Sequence, residues 1–112
     1  MLLKEIATTL NLNLKSKVNE SADVTSGYSS DLLSDVLAKA KDGALWVTNQ
    51  KHQNIVGVAV MLNLAGVIIA GGLKPEDNTL EKANEEGIPI YTTDKQTFEI
   101  VGKLWEMGIR NC

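Results

Sequence analysis

Cysteine, histidine and the aromatics are scarce in this 112-residue chain, which has one Cys, one His, one Phe, two Trp and two Tyr. The lone thiol, Cys112, has no second thiol to pair with, so no intramolecular disulfide staples the fold. A reducing compartment is therefore allowed, and the expected location is cytoplasmic. One thiol and one imidazole, His52, fall short of a Cys/His zinc site, so no metal is expected. Basic charge is also lacking: 11 Lys and Arg stand against 14 Asp and Glu, for a net charge of −3. Lys15 and Lys17 are only a pair, whereas tracking a phosphate backbone takes several cations on one face, so no nucleic acid is expected as a partner. Neither G-x-x-x-x-G-K-[ST] nor G-x-G-x-x-G occurs. ATP-dependent phosphoryl transfer thus lacks its usual parts, and no cofactor is expected.

Long apolar segments are few as well. Met1 to Leu10 contains Lys4 and Glu5 and lacks the apolar core of a secretion signal. His52 to Leu73 carries no formal charge and is long enough to cross a bilayer. Gly57, Gly66, Gly71, Gly72, Asn54 and Asn63 interrupt it, which fits a buried helix followed by a buried strand. No membrane association is expected.

What is present is an ordinary globular composition, 44% hydrophobic and 22% charged, in a length suited to one domain over residues 1–112. Leu2, Leu3, Ile6 and Leu10 recur at helical spacing. Lys4 to Ala7 also looks like the opening of a helix-turn-helix, but Asn11 to Ser16 alternates like a short strand where a second helix is needed. After a polar loop, Asp23 to Tyr28 reads as a weak strand, and Ser29 or Ser30 is placed to cap a helix carrying Leu32, Leu33, Val36, Leu37 and Ala40. Ala44 to Thr48 is a strand, Gln53 to Leu64 a helix, and Gly66 to Ala70 a strand covered on both faces. Pro75, Glu76 and Asp77 suit the start of a helix closed by Gly87. Ile88 to Thr92 is the last strand, and Thr93 with Gln96 makes a capping-box pattern for a helix carrying Phe98, Val101, Leu104 and Trp105.

Strand then helix, four times over with brief connections, predicts an α/β domain. It should hold a mostly parallel sheet of about five strands with helices on both faces. In such a sheet ligands bind at the carboxyl ends of the strands. The loops there gather Ser29, Ser30, Asn49, Lys51, His52, Gln53, Gly71, Gly72, Thr92 and Thr93 as candidate ligand contacts, suited to a small anion. Each also has a structural use as a cap or turn former. His52 has the titration range of a general base but no evident partner, and no catalytic residue is assigned.

The helix from Gln53 to Leu64 is apolar almost all round. One apolar face satisfies a sheet, so the rest needs a second cover, which neighbouring helices of the chain or another copy of it can supply. We expect a homodimer with Ile55, Val56, Val58, Ala59, Met61 and Leu62 at its interface.

Several segments together resemble the DRTGG domain family. They are Gly27 to Val36, Leu45 to Thr48 leading into Ile55-Val56, Ala65 to Pro75, Gly87 to Ile90, and Thr97-Phe98. The chain is also similar to the amino-terminal domain of HPr kinase/phosphorylase. Gly71-Gly72 fits the Gly-Gly half of the motif, but Lys51-His52-Gln53 stand where Asp-Arg-Thr is found in the family. The resemblance implies an accessory or regulatory domain without activity of its own, often attached to CBS domains, a phosphotransacetylase or an inorganic pyrophosphatase. The kinase's phosphate-binding loop lies in a carboxy-terminal domain that has no counterpart here. The expected function is a non-catalytic regulatory module that homodimerises and binds a protein or small regulatory ligand. The alternative is a nucleotide- or anion-sensing domain.

Overall fold

β-Branched residues crowd the centre of the chain. Val67, Ile68 and Ile69 follow one another with every side chain fully buried, which requires cover on both faces of the strand. The computed structural model describes residues 1–112 and supplies that cover. In chain order its elements are α1 (Leu3–Thr9), β1 (Asn13–Leu14), β2 (Ser26–Ser29), α2 (Leu33–Lys39), β3 (Ala44–Thr48), α3 (Asn54–Leu62), β4 (Gly66–Ile69), α4 (Asp77–Glu86), β5 (Ile90–Thr92) and α5 (Thr97–Glu106). The α/β architecture expected from the sequence is the one observed.

The five strands lie in the order β1-β5-β4-β3-β2. β2 to β5 are parallel and neighbour one another in sequence order, while β1 closes the β5 edge antiparallel. Crossovers of one hand that always step the same way put their helices on one face. Accordingly α2, α3 and α4 share a core with Trp46, Val67, Ile69 and Ile90. α5 follows the last parallel strand and folds back across the other face, where with α1 it covers Leu45, Val47, Ile68 and Tyr91. Alternate residues of each strand thus serve opposite cores. Three helices cover one face and two the other.

β1 is short because a side chain finishes its work. The Ser16 hydroxyl donates to the Ile88 carbonyl and accepts from the Ile90 N–H, both at 2.8 Å. Trp46, fully buried, satisfies its indole N–H on the Ser30 carbonyl at 2.9 Å.

Some local expectations are corrected. The first parallel strand is Ser26–Ser29, three residues later than Asp23. Neither Ser29 nor Ser30 caps α2, whose N-cap is Leu32; the Ser30 hydroxyl instead accepts from the Leu32 N–H in the preceding turn. Thr93 caps nothing either: its hydroxyl accepts from the Lys95 N–H, and α5 starts at Thr97. Side-chain hydrogen bonds within a turn compete with capping for the same residue types. The segment from His52 to Leu73 is a helix and a strand, and no helix is long and apolar enough to cross a membrane.

Candidate functional site

At the carboxyl ends of β3, β4 and β5 the loops are laced together by their own polar groups. The Asp31 carboxylate accepts from the Thr48 hydroxyl at 2.8 Å and from the Asn49 N–H at 2.7 Å. The Asn49 side-chain amide donates to the Ala70 carbonyl at 3.0 Å. The Gly71 and Gly72 N–H groups donate to the Lys95 and Thr93 carbonyls at 2.8 and 2.9 Å. Both glycines have positive φ, +78° and +74°, which is how two successive amides turn toward the β5–α5 loop. β4 hands its chain to α4 on one face and β5 to α5 on the other, so a crevice is expected between them. The two glycine hydrogen bonds stitch that crevice shut.

The candidate ligand residues therefore divide. Asn49, Gly71, Gly72 and Thr93 lie together in this lace. Thr92 is buried in β5, paired with Asn13 and Ile69. Lys51, His52 and Gln53 are exposed at the start of α3 and lean toward α4: the Lys51 carbonyl accepts from the Thr79 hydroxyl at 2.7 Å, and His52 Nδ1 lies 3.0 Å from Glu76 Oε2. Ser29 and Ser30 stand at the end of β2, beyond the lace. Asp31 joins β3 to α2's approach and is a contact that sequence patterning misses, since four residues before Asp35 it reads as the polar face of a helix, which begins only at Leu33. No group of three or more His, Cys, Asp or Glu side chains is close enough to hold a metal ion.

The expected interface on α3 needs correction. Ile55, Val56 and Ala59 are fully buried and Val58 is nearly so, packed on the sheet and between α2 and α4. Ile55, Val56 and Ala59 are sealed inside their own chain and offer nothing to a second copy, while Val58 only floors a surface recess beside Leu37 and Met61. Of the six, only Met61, 74% exposed, and half-buried Leu62 reach the surface.

Open apolar surface lies in two places, around Leu37, Val60 and Met61 on α2 and α3, and on α5, which carries the most exposed ring. Ile100 and Leu104 face the sheet, whereas Phe98 is 93% and Trp105 49% exposed. Val101 and Gly102 complete that outer stripe, at helical spacing from both. Beside it a cavity of about 310 Å³ opens between β2 and α5, with Val47, Val101, Leu104, Trp105 and Ile109 in its apolar wall. It sits over the side of the sheet that has two covering helices instead of three. Gly27 makes room there, since a Cβ on it meets Ile109 at 3.1 Å. Arg110 stacks on the Trp105 ring, 4.4 Å from its centroid, and holds the indole at the rim.

Comparison with known proteins supplies the family. The DRTGG domain matches residues 7–107, nearly the whole chain. The chain belongs to the DRTGG domain family. A solved structure shares the fold of this DRTGG domain with a TM-score of 0.73 at 16% identity: the CBS and DRTGG domains of the regulatory region of Clostridium perfringens pyrophosphatase, complexed with the activator diadenosine tetraphosphate. The likeness covers 90% of this chain and 44% of that one, so the DRTGG domain described here spans less than half of the neighbour's length. No curated protein matches.

Proposed function

We propose that this DRTGG domain is a non-catalytic regulatory module, working in the cytoplasm, that binds its partner through the outer face of α5. One observation carries the reading: Phe98, the chain's single phenylalanine, stands 93% exposed on a stripe with Val101, Gly102 and Trp105. Burying a phenyl side chain is worth about 1.5–3 kcal/mol, and this fold leaves that gain unused. An apolar stripe beside an apolar recess is what contact surfaces present. The domain's kinship with the regulatory region of a pyrophosphatase supports the regulatory half of the reading.

In-cell photo-crosslinking tests it. Benzoylphenylalanine replaces Phe98 in one variant and Glu85, exposed on α4, in another. A discrete crosslinked product at position 98 and none at 85 is expected. No product at 98 overturns the reading.

The neighbour's activator favours a second reading, a nucleotide sensor at the carboxyl edge. Against it, the Gly71 and Gly72 amides that suit a phosphate already hold the β5–α5 loop. Thermal-shift measurements with diadenosine tetraphosphate and ATP decide. A ligand at ~100 times its dissociation constant adds roughly 2.7 kcal/mol, and an unmoved melting curve with both removes this reading.

A further inference from the structure

We infer that the cavity between β2 and α5 is a small-molecule site, which takes a monocarboxylate whose body is one or two aromatic rings. The inference goes beyond the reading of α5 as a contact surface, because Phe98 is not part of the cavity wall.

Three segments meet at this corner of the sheet. Gly27 and Ser29 alternate along β2 and share a face with Val47 of β3, which pairs with Ser29. α5 contributes Val101, Leu104 and Trp105. Beyond α5 the chain doubles back: the Ile109 N–H donates to the Leu104 carbonyl at 3.0 Å, and the Gly27 N–H donates to the Arg110 carbonyl at 2.8 Å. That second bond fixes the Arg110 backbone against the edge of β2.

Arg110 is the chain's only arginine, and none of the chain's ion pairs includes it. Its guanidinium lies over the Trp105 ring, and Nη1 donates to the Trp105 carbonyl. Nε and Nη2 are left, and side by side they form the fork that matches the two oxygens of a carboxylate. A held cation without a counter-charge, at the rim of an aliphatic recess, suits a ligand with one anionic end and an apolar body.

A volume of about 310 Å³ is at the small end for ligand sites, with room for one or two rings. The wall selects against a nucleotide. Val47, Val101, Leu104 and Ile109 offer no side-chain hydrogen bond, and a purine would strand its ring nitrogens against them. The recess between α2 and α3 also has a cation, Lys82, but an ammonium on a flexible stem lacks the planar fork.

NMR titration of the isotopically labelled chain with phenylacetate and with indole-3-acetate tests this. Trp46 is buried and bonded to Ser30, so its indole N–H signal reports on the fold, while that of Trp105 reports on the cavity. A saturable shift of the Trp105 signal is expected with either acid, and Trp46 should stay in place. Phenylacetamide keeps the ring and loses the charge, and should bind about tenfold more weakly. Arg110→Gln, at an exposed position, should weaken the acids by a similar factor with the Trp46 signal unchanged. Gly27→Ala sets a methyl group 3.1 Å from Ile109, narrows the cavity and should also lower affinity.

No saturable Trp105 shift at millimolar acid overturns the inference, as does binding that ignores both Arg110→Gln and the loss of charge in the amide. AMP binding as tightly as the acids would give the cavity to a nucleotide and overturn it equally. Phe98→Asp should leave the titration unchanged. A chain that crosslinks at position 98 but ignores the acids keeps the contact surface and loses this site, and the converse result keeps the site alone.

Discussion

The backbone N–H of Asn49 donates to the carboxylate of Asp31 at 2.7 Å, and the same oxygen takes the Thr48 hydroxyl at 2.8 Å. One side chain ahead of α2 thereby fixes the exit of β3. The Gln50 side-chain amide returns the tie by donating to the Asp31 carbonyl at 2.8 Å. Asp31→Ala leaves two donors without their acceptor and should cost about 1–2 kcal/mol in urea unfolding. Asp31→Asn keeps one acceptor oxygen and should cost less. Equal midpoints for Asp31→Ala and the native chain would show that the lace does not hold the edge.

Gly71 and Gly87 separate a conformational demand from a steric one. Both have positive φ, +78° and +72°. A Cβ at Gly87 meets nothing within 4 Å, whereas one at Gly71 comes to 3.3 Å from the Asn49 amide nitrogen. Alanine at either position should cost about 1–2 kcal/mol for the backbone alone. Gly71→Ala should cost more, because Asn49 must shift while bonded to Ala70. Thermal unfolding of the two variants side by side gives the order, and the reverse order would refute the tight fit.

At acid pH the Tyr28–Asp35 pair should set part of the stability. The Tyr28 hydroxyl donates to Asp35 at 2.7 Å, and this bond, helped by Ser30 and Lys39, holds the Asp35 carboxyl below its ordinary range. Under acid the unfolded chain takes up a proton that the folded chain refuses. The contribution is present above pH about 4 and fades as pH falls through the lower folded value. Tyr28→Phe should flatten that acid limb in denaturation curves, and an unchanged limb would remove the pair from the account.

At alkaline pH the roles reverse around Tyr91. Burial, and then the hydrogen bond its hydroxyl gives Glu20 at 2.8 Å, push the phenol well above its usual value. The unfolded chain therefore releases a proton that the folded chain keeps. Stability should hold up to pH about 10 and decline beyond it as the unfolded phenol ionises. Tyr91→Phe should cost about 0.5–1.5 kcal/mol at neutral pH and make the alkaline decline shallower. A decline as steep as the native one would point to other groups.

The layered architecture was legible in the sequence because runs such as Gly66 to Ile69 are too short and too β-branched for anything but strands covered twice. The all-round apolarity of α3 was legible too, but not its cause. Which helices share a face follows from strand order, and a monotonic β2-β3-β4-β5 order puts α2 and α4 on either side of α3, where they bury Ile55, Val56, Val58 and Ala59. α5 misled in the opposite sense. It carries two apolar stripes, Ile100 with Leu104 and Phe98 with Val101 and Trp105, and helical periodicity fits either. Only the sheet decides which one turns inward. Of the polar edge residues, Asn49, Gly71, Gly72 and Thr93 fall in loops at the carboxyl edge, whereas Thr92 lies within β5 and Ser29 ends β2. Their hydrogen bonds to one another depend on distances between strands that a linear pattern does not contain.

Ser16 joins parts of the chain that are made far apart in time. Its hydroxyl bridges Ile88 and Ile90, 72 and 74 residues downstream, and β1 beside it pairs only with β5. During synthesis this amino-terminal segment must wait, unpaired, until nearly the whole domain has emerged from the ribosome. Once it docks it blunts the flank of β5, which would otherwise template the addition of foreign strands. A Ser16→Val chain should consequently reveal itself first as slower refolding and greater loss to aggregates, before any change in its partner binding.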